Sequence, residues 1–166
     1  MKAVLIPLSD NTGLPSMLHC AATVAKAFGG YVEGSYLRAE PSVILASDDT
    51  GATTPALIES FEREDAARAE RLQQMFRDAM SASGLDGSAA ISSISASGGG
   101  LGGYGRLFDL IVVGRPGRES NSPPMTTLET ALFDTGRCLL IAPPNAPPSL
   151  AKNCLLYTSP SPRDGT

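Results

Sequence analysis

The residues able to do chemistry concentrate in two short loops. Ser9-Asp10-Asn11-Thr12-Gly13 follows one short apolar run, and Gly114-Arg115-Pro116-Gly117 follows another. Glycine turns let backbone N–H groups approach phosphate oxygens, and a helix N-terminus beyond them adds a favourable dipole. Arg115 or Arg118 would neutralise the phosphate charge. Asp10 is the one obvious acid for holding a metal ion near such phosphates. The competing reading is plainer: Gly114–Gly117 is a structural turn between a strand and a helix.

Other constellations carry less. Gly98-Gly99-Gly100-Leu101-Gly102-Gly103 satisfies G-x-G-x-x-G, but six glycines fall in the eight positions 98–105, so composition nearly forces the match. No long helix and no acidic residue about 20 positions on completes a dinucleotide fingerprint, and a flexible linker is the expectation. His19-Cys20 is no nucleophile pair, since adjacent helical residues do not face each other. Cys20 reads as a core residue, His19 as a surface one, and Cys138 as buried strand filler. Ser16, Ser35 and Ser120 lack a G-x-S-x-G elbow, which removes the hydrolase reading. Glu62, Glu64 and Asp65 read as a solvated helix face.

The elements that must position these loops alternate along the chain. Ala3–Leu8 is a continuous apolar run of the length of a buried parallel strand. Met17, Leu18, Ala21, Ala22, Val24, Ala25 and Phe28 then recur at helical spacing, with Pro15 in the first turn and Gly29-Gly30 as the stop. Tyr31–Leu37 reads as a second strand, joined by a right-handed crossover. Residues 38–54 read as a polar loop. A long helix is expected from about Pro55 to Ser83, with Leu57, Phe61, Leu72, Met75, Phe76 and Ala79 on one face. Ala89–Ile94 is a weak strand, and any helix over 98–105 must be short or absent. Asp109–Val113 is a clear strand, Leu128–Thr135 a helix capped by Thr126 or Thr127, and Cys138–Ala142 a final strand. This pattern predicts an α/β fold: a doubly wound, open, parallel five-stranded sheet with helices on both faces.

Composition narrows the function classes. The chain has 166 residues, 42% hydrophobic and 18% charged, with 13 basic against 17 acidic residues. This suits a domain with a real core and gives no basic footprint for nucleic acid. No apolar run approaches the ~20 residues of a membrane helix, and the N-terminus is too short in its apolar part for a signal peptide. Three cysteines without metal spacing fit a reducing, cytoplasmic setting.

Val4-Leu5-Ile6-Pro7-Leu8, Gly105–Pro116 and Ala131–Pro143 together give the chain its resemblance to the universal stress protein family. The resemblance runs from Lys2 to about Pro144. It implies a Rossmann-like fold, frequent dimers, and a tandem form in many members. The ATP-binding branch of that family carries G-x2-G-x9-G-[S/T] after the fourth strand and an Asp at the end of the first. Here Gly114 and Gly117 match, Thr126-Thr127 stand near the Gly-Ser pair, and Ser9 takes the Asp position with Asp10 one residue later. The implied cofactor-binding set is therefore Ser9, Asp10, Leu37, Gly114, Arg115, Gly117, Thr126 and Thr127, around ATP, with no metal site. Half of the motif is missing, so the resemblance implies a non-catalytic binding and regulatory module with a degenerate nucleotide site. The alternatives are an ATP-binding domain with slow hydrolysis, or a structural dimerisation half. Partners would be a second copy or a missing second repeat.

The last residues look foreign. Cys154–Asp164 resembles a translated transposase-type sequencing adapter, residue for residue. The expected organisation is a domain over 1–143, a Pro-rich linker over 144–153, and an adapter-derived tail over 154–166.

Overall fold

A computed structural model describes residues 2–38, 55–95, 99–150 and Lys152. Most of the expected 38–54 loop, Gly98 and the 154–166 tail lie outside these residues. The chain runs β1 (Ala3–Leu8), α1 (Leu14–Phe28), β2 (Tyr31–Arg38), α2 (Pro55–Ala82), a 3-10 turn (Asp86–Ser88), β3 (Ala89–Ser95), α3 (Gly100–Gly105), β4 (Leu110–Gly114), α4 (Met125–Phe133) and β5 (Cys138–Ala142). One parallel sheet has the order β3-β2-β1-β4-β5. The strand order reverses between β1 and β4, which sets a crevice at their carboxyl ends.

Two apolar layers sandwich the sheet. On one face, Leu14, Met17, Leu18 and Ala21 of α1 and Leu72, Phe76 and Met80 of α2 cover Val4, Ile6, Leu8, Val32 and Val112. On the other, Leu101 of α3 and Ala131 of α4 cover Leu5, Ile111 and Val113. Period-two alternation along each strand sends successive side chains to opposite layers. Gly34 is the close-approach point, since a Cβ there would lie 2.7 Å from the Phe76 ring.

Local signals explain most boundaries. Pro15 sits in the first turn of α1, and Gly29 ends it with φ 57°, donating to the carbonyls of Ala25 and Lys26. No side chain caps α1. Gly13 takes the N-cap, and Asn11 Oδ1 accepts the Gly13 N–H at 2.9 Å in an Asx turn.

Several expectations need correction. The glycine run is a helix over Gly100–Gly105, not a flexible linker. Its glycines permit close packing: a Cβ at Gly105 would meet Thr135 Cγ2 at 2.8 Å, and one at Gly102 would meet Asp134 Cβ at 2.9 Å. The fourth helix begins at Met125 with Pro124 at the N-cap, so Thr126 and Thr127 sit inside its first turn. The inward face of α2 is Leu72, Phe76 and Met80, while Leu57 and Met75 are exposed. Asp109 precedes β4, and its carboxylate accepts the Lys2 and Ala3 N–H groups at 2.6 and 3.1 Å. Cys138 is exposed on edge strand β5, so it is not buried filler. The segment after β5 crosses α1, with Pro147 O 3.0 Å from His19 Nε2 and Leu150 packed on the core.

Candidate functional site

The crevice between β1 and β4 is narrowed by the chain's own residues. The two loops are tied across it: the Thr12 N–H donates to Asn121 O at 3.0 Å, and the Thr12 hydroxyl donates to the same oxygen at 3.2 Å. This brings Pro123 down between them, where it is buried. A Cβ on Gly114 would lie 2.5 Å from Pro123 Cγ, and one on Gly13 would lie 2.7 Å from the same atom. The pyrrolidine ring therefore fills the space that glycine leaves on both loops. Ser122 packs in the same way against Gly117.

The expected site residues fall into separate places. Asp10 forms an ion pair with Arg71 of α2, on the outer surface. Ser9 Oγ accepts the Asn11 amide at 2.6 Å. Arg115 and Gly117 line a small cavity of about 280 Å³ with Thr12, Gly13, Pro123 and Pro144. Leu37, Thr126 and Thr127 line a different, larger cavity of about 670 Å³, walled by Gly99–Gly103 of the α3 region. Thr130, Arg106 and Asp134 complete that wall. The Arg106 guanidinium donates to Asp134 O at 3.0 and 3.1 Å, which commits it to the end of α4. The structure thus brings Leu37 together with Thr126 and Thr127, and leaves Asp10 apart from the Gly114–Gly117 turn. Among the described residues, no group of three or more His, Cys, Asp or Glu could hold a metal ion. No described helix is long and apolar enough to cross a membrane.

Two buried polar clusters were not foreseen. Glu33 of β2 accepts the Tyr31 hydroxyl at 2.6 Å and the Tyr104 hydroxyl of α3. Burial pushes its carboxyl up, but the Ser92, Tyr104 and Tyr31 hydroxyls outweigh this and hold it below the usual glutamate value. The carboxylate in turn raises Tyr104. On the opposite face, the Tyr36 hydroxyl donates to Asp65 Oδ1 at 2.5 Å. Burial, and then this bond, push Tyr36 up to about 12. Asp65 is 8% exposed, so it is not part of a solvated acidic face; Glu62 and Glu64 are. A charged residue inside an otherwise apolar strand, flanked by tyrosine, was the available signal for Glu33. For Asp65 the signal was its spacing of seven from Leu72, two helical turns along the buried stripe.

Comparison with family models and with curated proteins by sequence finds no match. Solved structures do match. Universal stress protein UspA from Lactobacillus plantarum aligns at a TM-score of 0.61 with 17% identity, over 85% of this chain and 97% of that one. A universal stress protein from Archaeoglobus fulgidus aligns at 0.58 with 11% identity, over 86% and 93%.

The chain has the fold of the universal stress proteins.

A third structure with this fold is a universal stress protein in complex with cAMP, at a TM-score of 0.55 and 15% identity, over 87% of this chain and 98% of that one. Identities of this size establish the shared architecture; function must be argued from the site.

Proposed function

We propose that this chain is a universal-stress-protein-like binding and regulatory module, non-catalytic, with a degenerate nucleotide site. One observation carries the reading: Pro123 is buried against Gly13 and Gly114, between the two loops that would hold a phosphate. The pairing of Asp10 with Arg71 supports it, because the acid is then directed away from the glycine turn. Regulation would act through the two loops that Thr12 and Asn121 tie together. Such a module would work in the cytoplasm, with neither nucleic acid nor membrane as a partner.

A second reading has a specific observation behind it. Leu37, Thr126 and Thr127 share one open cavity, and a structure of this fold is described as a cAMP complex. An adenine nucleotide, ATP in the first instance, would enter there, with slow hydrolysis as the enzymatic alternative. Pairing with a second copy or a second repeat is supported by edge strand β5, where Ile141 is exposed, and by exposed Leu132 and Phe133 on α4. A tandem form is consistent with the length of a universal stress protein from Archaeoglobus fulgidus DSM 4304, of which this chain spans 44% at a TM-score of 0.51. The proposed organisation remains a domain over 1–143, a linker over 144–153 and a foreign tail.

The test is an ATP titration read on backbone amides, with phosphate release measured in parallel. The module reading predicts no saturable shifts at Gly114, Gly117, Thr126 or Thr127 and no phosphate release. Saturable shifts at Thr126 and Thr127, or at the two glycines, with release above the protein-free rate would replace it by the enzyme reading.

A further inference from the structure

Among the described residues, nothing guards edge strand β3 over Ala89–Ile94 in the usual way. It pairs with β2 without a break, from Val32↔Ala89 to Arg38↔Ser95, and it is the last strand on its side of the sheet. Proteins commonly guard such an edge with lysine, proline, a bulge or an inward charge. Ala89-Ala90-Ile91-Ser92-Ser93-Ile94 holds none of these. Four of its six side chains are Ala or Ser, and among the described residues no strand pairs with its outward N–H and C=O groups.

Beside this edge lies a cleft of about 480 Å³, between Ala89–Ile91 and the last turns of α2. Buried Phe76 and Met80 line it together with half-exposed Ile91. Its charged rim is Arg77, Asp78 and Asp86. Arg77 donates to Gln74 Oε1 at 3.0 and 3.2 Å and Asp78 accepts the Gln74 amide at 2.7 Å, so both keep their charge because Gln74 is neutral. Asp86 is exposed, with no ion pair among the described residues. One cation against two carboxylates leaves the rim net negative. The opposite edge differs, because β5 presents exposed Ile141 and Cys138 beside an apolar helix end.

We propose that the β3 edge docks an extended, basic segment of a partner protein, which adds a strand to the sheet and seats one apolar side chain in the Phe76–Met80–Ile91 cleft. Main-chain hydrogen bonds would supply affinity, and the cleft with its acidic rim would supply selection. This goes beyond the nucleotide question, since the cleft is lined by none of the expected site residues.

The probe is an acetylated synthetic peptide of alternating lysine and valine, as long as β3 (7 residues), titrated into the isotope-labelled chain. Saturable shifts confined to Ala89–Ile94, Phe76, Met80 and Asp86, with slowed amide exchange along β3, would support the proposal. So would affinity about tenfold weaker for Asp86→Asn, for Ser93→Lys, or for the same peptide with glutamate in place of lysine. Ser93 and Asp86 are exposed, so these variants keep the fold. Three outcomes overturn it: no shifts at millimolar peptide, undiminished binding by a backbone N-methylated peptide, or concentration-dependent protection of β3 without peptide. The last would make the occupant a second copy of this chain.

Discussion

Substituting Gly114 by alanine, alone and together with Pro123→Ala, tests whether the proline fills the crevice. In Gly114→Ala the new methyl would sit 2.5 Å from Pro123 Cγ, 3.0 Å from its Cβ and 3.2 Å from Met17 Sδ. Gly114 ends a fully buried strand, so relief by rotation is small. Overpacking of this kind costs about 1–3 kcal/mol. Pro123→Ala removes two ring methylenes from a buried position, at about 0.8 kcal/mol each. It also frees the unfolded chain, for about 0.4–1 kcal/mol more. The two losses do not add, because the second substitution deletes the atom the first collides with. The remaining 3.0 Å approach to Cβ is one a few tenths of an ångström can relieve. The double variant is therefore expected to be about 1–2 kcal/mol more stable than the sum of the singles predicts. Urea unfolding of the four chains, with equal m-values, reads this coupling directly. Additivity within about 0.5 kcal/mol would refute the claim that Pro123 occupies the space beside Gly114.

The buried polar clusters give pH-dependent predictions. Glu33 is depressed in the folded chain, so its stabilising contribution is present above the ordinary glutamate value and is lost as pH falls through that value to its folded one. Glu33→Gln should flatten the acid limb of a stability–pH curve, and an unchanged limb would contradict the hydroxyl cluster. Tyr36 is raised, so its contribution is present below the ordinary tyrosine value of about 10 and is lost as pH rises towards about 12. Asp65→Asn should bring the Tyr36 titration back down, as followed by phenolate absorbance; an unmoved titration would show that burial alone raises it.

Most of the fold was legible because it rests on short-range signals. The apolar runs of β1, β4 and β5 and the Pro15–Gly29 brackets of α1 each fix an element from its own residues. Legibility ended where tertiary contact overrides composition. A run of glycines reads as a flexible linker, yet here the missing side chains let α3 approach Thr135 and Asp134. Apolar spacing on α2 suggested that Met75 faces inward with Leu72 and Phe76, but the inner stripe runs through Asp65, bonded to Tyr36, then Leu72, Phe76 and Met80. The candidate site was half legible for the same reason. Gly114 and Gly117 announce a tight turn, but the residue that uses their space, Pro123, arrives from a loop whose path depends on the Thr12–Asn121 tie. Asp10 names an acid, while its partner Arg71 lies far along the chain on another element.

On the proposed reading, Pro123 packs at the crossing between β1 and β4 in place of a phosphate. Calorimetric titration of ATP into the intact chain is the decisive measurement. The packed proline predicts no saturable heat at millimolar ATP, and no shift in thermal unfolding, since a ligand that binds the folded state must stabilise it. Saturable heat with a matching rise in unfolding temperature, abolished by Gly114→Ala, would contradict the account.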